Sequence, residues 1–174
     1  MGLPLLVLVS GAPGSGKTTL AQELSKRLGV FHLNRDEIWA GLRFTVERGG
    51  DPSLARRGVV AEYGVLEHLL AVGVSVVADG TLYAGDFEAH VWRLRDLANV
   101  VNVHCRATDS IGRDSARQAN LGWSNDDLAT RRERLETIRS QVTEPLDLGC
   151  PVIEVETDEG YVPPLNEVVD RILQ

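Results

Sequence analysis

Cysteine is scarce, with two residues in 174, and neither sits in a Cys-x-x-Cys pair or a His/Cys cluster of metal-ligand spacing. That excludes a disulfide framework and a thiolate metal site; Cys105, inside an apolar run, and Cys150, before a proline, read as reduced structural thiols. No stretch approaches the roughly 20 apolar residues that cross a bilayer. The apolar start Met1–Val9 lacks the basic flank of a secretion signal, so a cytoplasmic protein with no membrane partner is expected. Basic charge is also short. With 18 Lys and Arg against 25 Asp and Glu the net charge is -7, which argues against nucleic acid as the partner, because proteins that grip it usually present a basic face. Linkers, repeats and low-complexity segments are lacking, so residues 1–174 are expected to form one domain with a sizeable core.

Lysine is scarcer still for a basic residue: the chain holds two, beside 16 arginines. One of the two, Lys17, falls in Gly11-Ala12-Pro13-Gly14-Ser15-Gly16-Lys17-Thr18, which fits G-x-x-x-x-G-K-[ST]. The motif follows the apolar run Leu5–Val9 and precedes the helical pattern Thr18–Leu28, the context of a phosphate-binding loop. Glycines at 11, 14 and 16 open backbone angles that let successive N–H groups turn toward one anion. A helix starting near Lys17 adds unpaired N–H groups and the positive end of its dipole. Lys17 can reach the β- and γ-phosphates of a nucleotide, and the Thr18 hydroxyl is placed to ligate Mg²⁺, with Thr19 next to it.

Five apolar runs (Leu5–Val9, Val30–Leu33, Val74–Ala78, Val100–Cys105 and Val152–Val155) are each followed by a helical pattern. This alternation predicts an α/β fold, a five-stranded parallel sheet with helices on both faces. Leu20, Leu24 and Leu28 mark the first helix, with Gly29 as its C-terminal cap. Val59, Tyr63, Leu66 and Leu70 mark a second, and Phe87, Val91, Leu94 and Ala98 a third. Apolar residues at 165, 168, 169, 172 and 173 mark the last. Between 107 and 142 the pattern changes to a helical but arginine-bearing stretch with few core positions, as a lid would have.

Ligands of such sheets sit at the carboxyl ends of the strands. The polar residues there are Asn34-Arg35-Asp36 after the second run, Asp79-Gly80-Thr81 after the third, and Thr157-Asp158 after the fifth. Thr157 is a candidate for bordering the nucleotide. The loop, the Asn34-Arg35-Asp36 triplet, the Asp79-Gly80-Thr81 turn and Arg113 with Arg117 together resemble the small P-loop kinases, a group that includes polynucleotide 5′-hydroxyl kinases, chloramphenicol phosphotransferase, gluconate-type sugar kinases and zeta-toxin kinases. The resemblance implies a three-layer P-loop NTPase fold, ATP as donor and Mg²⁺ as metal. It also implies Lys17, Asp36, Arg113 and Arg117 as catalytic residues. Asp36 would accept or orient the acceptor proton, Asp79 would hold acceptor or metal-bound water, and the two arginines would close over the phosphates. Polynucleotide kinases of this group carry an arginine where this chain has Trp39, so a small molecule with an apolar or ring-bearing part is expected, with Arg43 one turn on as a substitute.

Each assignment has a plainer counterpart: Asp36 as the cap of a helix starting at Glu37, Asp79 as a turn former, the arginines as solvated charge, Trp39 as a core or hinge aromatic. His32, His68, His90 and His104 share no spacing and receive no chemistry. The expected function is phosphoryl transfer from ATP to a hydroxyl of a small molecule. The alternatives are a 5′-hydroxyl polynucleotide kinase and, in another class, a nucleotide-binding switch. Against the switch stand the missing N-K-x-D motif and the mismatch of Asp79-Gly80-Thr81 to a D-x-x-G turn.

Overall fold

The structure is a computed structural model, which describes residues 2–47, 54–83, 88–120 and 124–174. Strands β1 (Leu5–Gly11), β2 (Phe31–Asn34), β3 (Val76–Asp79), β4 (Asn99–Arg106) and β5 (Val152–Glu156) form one sheet, in the order β2-β3-β1-β4-β5. Every pairing is parallel. The helices are α1 (Lys17–Leu28), α2 (Arg35–Glu47), α3 (Leu54–Ala71), α4 (Glu88–Leu94), α5 (Ser110–Asn120), α6 (Asn125–Val142) and α7 (Leu165–Ile172).

Alternation along the strands builds two separate cores. Leu6 and Leu8 of β1, with Val76 and Ala78 of β3, face Tyr63, Leu66 and Leu70 of α3 and Val91 and Leu94 of α4. Val7 and Val9, with Val77, Val103 and Val155, face Leu20, Ala21 and Leu24 of α1 and Val168 and Ile172 of α7. Because side chains alternate across a strand, β1 feeds both layers and is buried from Leu6 to Gly11. Burying one such leucine contributes about 1.5–3 kcal/mol.

Register then sets the site. Asp79 is level with Val9 on one side and Asn34 on the other, so β3 and β2 end together while β1 runs on to Gly11. Gly29 caps α1 with φ 66°, as its position after Leu28 predicts. The third helix is shorter than the pattern suggests: α4 ends at Leu94, Ala98 is buried in the turn after it, and Phe87 lies outside the described residues. The arginine-rich stretch is two helices, α5 and α6, of which Ile111, Asp114, Gln118, Leu135 and Val142 are buried. No described helix is long and apolar enough to cross a membrane. Both cysteines are free.

Candidate active site

The loop between β1 and α1 is shaped by three glycines with positive φ, of 133°, 82° and 83° at residues 11, 14 and 16. At Gly14 the requirement is also steric. A Cβ there would run into the Ser110 carbonyl and come within 2.9 Å of the Asp114 nitrogen, so glycine lets the first turn of α5 abut the loop. The Ser15 nitrogen bonds the Ala12 carbonyl at 3.1 Å, which closes the turn. Thr157 braces it from β5: its hydroxyl lies 2.8 Å from the Ser15 carbonyl and 3.0 Å from the Arg106 carbonyl. Thr157 thus touches the back of the loop.

Lys17 opens α1 and folds back over the loop, its Nζ donating to the Ala12 carbonyl at 2.7 Å. Burial lowers its pKa to about 8, against the pull of Cys105, Asp36 and Asp79. Thr18 donates to Asp79 Oδ2 at 2.6 Å, and the other Asp79 oxygen lies 2.7 Å from His32 Nε2. Asp79 itself is 4% exposed. A hydroxyl and a carboxylate side by side at the loop's exit are hard oxygen donors of the kind Mg²⁺ takes, so these residues fit that ion. Ser15 Oγ is buried without a hydrogen-bond partner, pointing toward Gly11.

Asp36 does not cap its helix. The helix begins at Arg35, and it is Asn34 whose Oδ1 accepts from the Asp36 nitrogen at 2.7 Å. Asp36 is exposed in the first turn, within electrostatic reach of Lys17. Arg35 points the other way: Nε meets Glu62 at 2.5 Å, Nη1 donates to the Thr81 carbonyl, and its guanidinium lies where a Cβ on Gly80 would be, 2.5 Å away. Glu62 is 2% exposed, and burial raises its pKa even though Arg35 opposes the shift.

The remaining candidates disperse around this centre. Arg113 donates to the Thr157 carbonyl at 3.2 Å, and Arg117 pairs with Asp114 at 3.2 Å. Trp39 is 39% exposed, and its ring lies 3.4 Å from where a Cβ on Gly58 would stand, at the seam of α2 and α3. Arg43 lies on α2, its side chain outside the described part of the structure; Thr19 is exposed on α1. Sequence reasoning gave His32 no chemistry, did not single out Glu62, and named Arg35 only as part of the Asn34-Arg35-Asp36 triplet. For Glu62 a signal existed, a carboxylate among the apolar positions 59, 63, 66 and 70 of α3. For His32 there was none, since its role depends on β2 lying beside β3.

The phosphate loop at the end of the central strand, the carboxylate after β3 and the 2-3-1-4-5 strand order define a small P-loop kinase. The family to which the chain belongs is the AAA domain family AAA_33, whose profile matches residues 6–145. A Pyrococcus furiosus protein with the provisional name of adenylate kinase is 29% identical over 97% of this chain and 82% of its own length. Three mycobacterial relatives are 31% identical over 70% of this chain, which matches 26% of theirs. Among solved structures, one from Chloroflexus aurantiacus with a provisional kinase name superposes with a TM-score of 0.74 at 25% identity, covering 100% of this chain and 96% of its own. A gluconokinase from Sinorhizobium meliloti has the same fold, with a TM-score of 0.60 at 18% identity over 99% and 91% of the two chains.

Proposed function

We propose that the protein is an ATP-dependent kinase that transfers the γ-phosphoryl group to a hydroxyl of a small molecule, with Mg²⁺ as its metal. The observation that carries the reading is the exposed Asp36 carboxylate in the first turn of α2, within electrostatic reach of Lys17, as is Asp79, the acceptor of the Thr18 hydroxyl. An alcohol needs a carboxylate to accept or orient its proton. A phosphate acceptor, as in the adenylate kinases among the relatives, is already an anion, needs no base, and would be repelled by Asp36.

In this reading the loop N–H groups and Lys17 hold the donor phosphates. The acceptor oxygen bonds to the γ-phosphorus as the bond to the β–γ bridging oxygen breaks, its proton passes to Asp36, and ADP leaves. Thr18 and Asp79 would hold Mg²⁺, which would supply neutralisation of the phosphate charge. Lys17 exchanges the Ala12 carbonyl for phosphate oxygens. Helices α5 and α6 act as a lid from which Arg113 and Arg117 bring positive charge. Trp39 and Arg43 border the acceptor, and Thr157 supports the loop beneath the nucleotide.

The test is ATP consumption with Mg²⁺ against a panel of hydroxyl compounds, with nucleoside monophosphates and 5′-hydroxyl oligonucleotides alongside. Turnover with an alcohol that falls about 10²–10⁴-fold in Asp36→Asn, nucleotide affinity being kept, is the expected result. Turnover only with a nucleoside monophosphate, insensitive to that substitution, would overturn it.

A further inference from the structure

Asp79 is held at both ends. Its Oδ2 accepts from the Thr18 hydroxyl at 2.6 Å, and its Oδ1 lies 2.7 Å from His32 Nε2. A carboxylate accepts, so the proton of the second bond sits on Nε2 and His32 is the donor. The Thr18 contact has a use at the exit of the phosphate loop, because a hydroxyl that gives its proton to Asp79 keeps its lone pairs for a cation. His32 has no part in the transfer itself, and the sheet does not need its contact: β2 and β3 are already joined by backbone pairing from Phe31 and Val76 to Asn34 and Asp79.

Register explains how the imidazole arrives there. Asn34 stands level with Asp79, but its side chain accepts from the Asp36 nitrogen at the start of α2. His32, two residues earlier, points to the same face of the strand. It is level with Val77, which is completely buried in the layer that α1 covers. Packing alone would put an apolar side chain in that place, and a polar one that is partly buried costs free energy unless it is hydrogen-bonded. His32 meets that cost by reaching along the strand to Oδ1. Strand β2 thus serves two carboxylates, Asn34 at the backbone of Asp36 and His32 at the side chain of Asp79.

We propose that His32 is a positioning residue of the metal site: its Nε2–H fixes the plane of the Asp79 carboxylate, so that Asp79 and the Thr18 hydroxyl present their oxygens together to Mg²⁺. This rests on the kinase reading, in which those two residues hold the ion. The last torsion of an aspartate side chain is broad. A carboxylate bonded at one oxygen can turn about that bond, whereas one bonded at both is fixed. Mg²⁺ demands near-ideal octahedral geometry, and donors already in place bind it without the cost of ordering them. His32 acts only through Asp79.

The experiment measures by calorimetry the affinity of the full chain for a non-hydrolysable ATP analogue, once with excess EDTA and once with saturating Mg²⁺; the ratio of the two is the gain from the metal. His32→Leu is expected to lose about tenfold of that gain, the lower end of what removing the hydrogen-bond partner of a metal ligand costs, with the metal-free affinity unchanged. His32→Gln, which keeps an N–H donor at similar reach, should recover part of it. In an Asp79→Asn background His32→Leu should cost nothing more, since the two residues act as one unit. Should His32→Leu not fold, His32→Asn, polar but too short to reach Oδ1, takes its place. A gain that survives the substitution, a loss that His32→Gln does not relieve, or an equal loss without metal or in the Asp79→Asn background overturns the proposal while the kinase reading stands. A wild type that binds no analogue or gains nothing from Mg²⁺, or an Asp79→Asn variant that keeps the whole gain, refutes the kinase reading or its metal placement, and the proposal falls with it.

Discussion

At the scale of single residues, Lys17 is the group whose chemistry is most altered by its setting. Burial takes its pKa from the ordinary 10.5 to about 8, and phosphate oxygens in place of the Ala12 carbonyl would restore the charged form. Between those two values the unfolded chain binds more protons at this position than the folded one. Folding stability from Lys17 therefore rises with pH across that window, and below about 8 the cost of burying the charge is fully present. Nucleotide binding runs the other way. At pH 9 it should take up close to one proton, at pH 7 almost none from this residue, and affinity should fall as pH climbs above 8. Calorimetry in buffers of different ionisation enthalpy reads the uptake directly; no uptake at pH 9 would mean that Lys17 does not meet the phosphates. The residue was legible in sequence because the spacing of Gly11, Gly14, Gly16 and Lys17 is a local property of eight residues. Asp36 was legible as well, though its capping alternative was settled only by the backbone, which starts α2 one residue earlier and gives the cap to Asn34.

At the scale of elements, α5 and α6 depend on one buried carboxylate. Burial alone would raise the pKa of Asp114, but the hydrogen bonds and charge of Arg131, with Arg117, bring it below the usual value. A depressed carboxylate contributes stability that is complete above its unfolded pKa, near 4, and lost as pH falls through the folded value. Asp114→Asn should thus cost about 1–3 kcal/mol at pH 7, with a smaller deficit below pH 4, read as urea midpoints at the two pH values. An equal deficit at both would assign the cost to packing instead. This junction was half visible beforehand. The arginine-rich composition of 107–142 announced an unusual segment, whereas the Ser124 cap of α6, which accepts from the Asp127 nitrogen, emerges only from the structure. Which arginine meets which carboxylate was not visible, because Arg131 and Asp114 are 17 residues apart and meet only once two helices have packed. The strands were found for the opposite reason: apolar runs of four to six residues announce themselves without any partner, and the structure moves their ends by one or two residues.

At the scale of the whole molecule, the sheet divides the protein into two layers that should respond differently to the same injury. Leu24 lies in the layer of α1, the helix that starts at Lys17; Leu66 lies in the layer of α3, and both are fully buried. Truncating either to alanine removes the same methyl groups and should cost about 2–5 kcal/mol, according to how far the cavity collapses. The loop is continuous with α1 and is held at Ser15 by Thr157 of the β5 end, in the layer that α1 and α7 cover. A cavity under α1 can let the helix N-terminus move relative to that brace, and donors displaced by a fraction of an ångström bind phosphate less well. Leu24→Ala should therefore lose nucleotide affinity in addition to stability. Leu66→Ala should lose stability with affinity intact. Ligand binding to the folded state stabilises by RT ln(1 + [L]/Kd), so thermal unfolding of each variant with and without Mg²⁺ and ATP measures both quantities in one series. The nucleotide-dependent shift should shrink in Leu24→Ala and keep its wild-type size in Leu66→Ala. Equal shifts in the two would mean that the phosphate loop is held by its own turn and by Thr157 alone, with the layer beneath it contributing only to the stability of the fold.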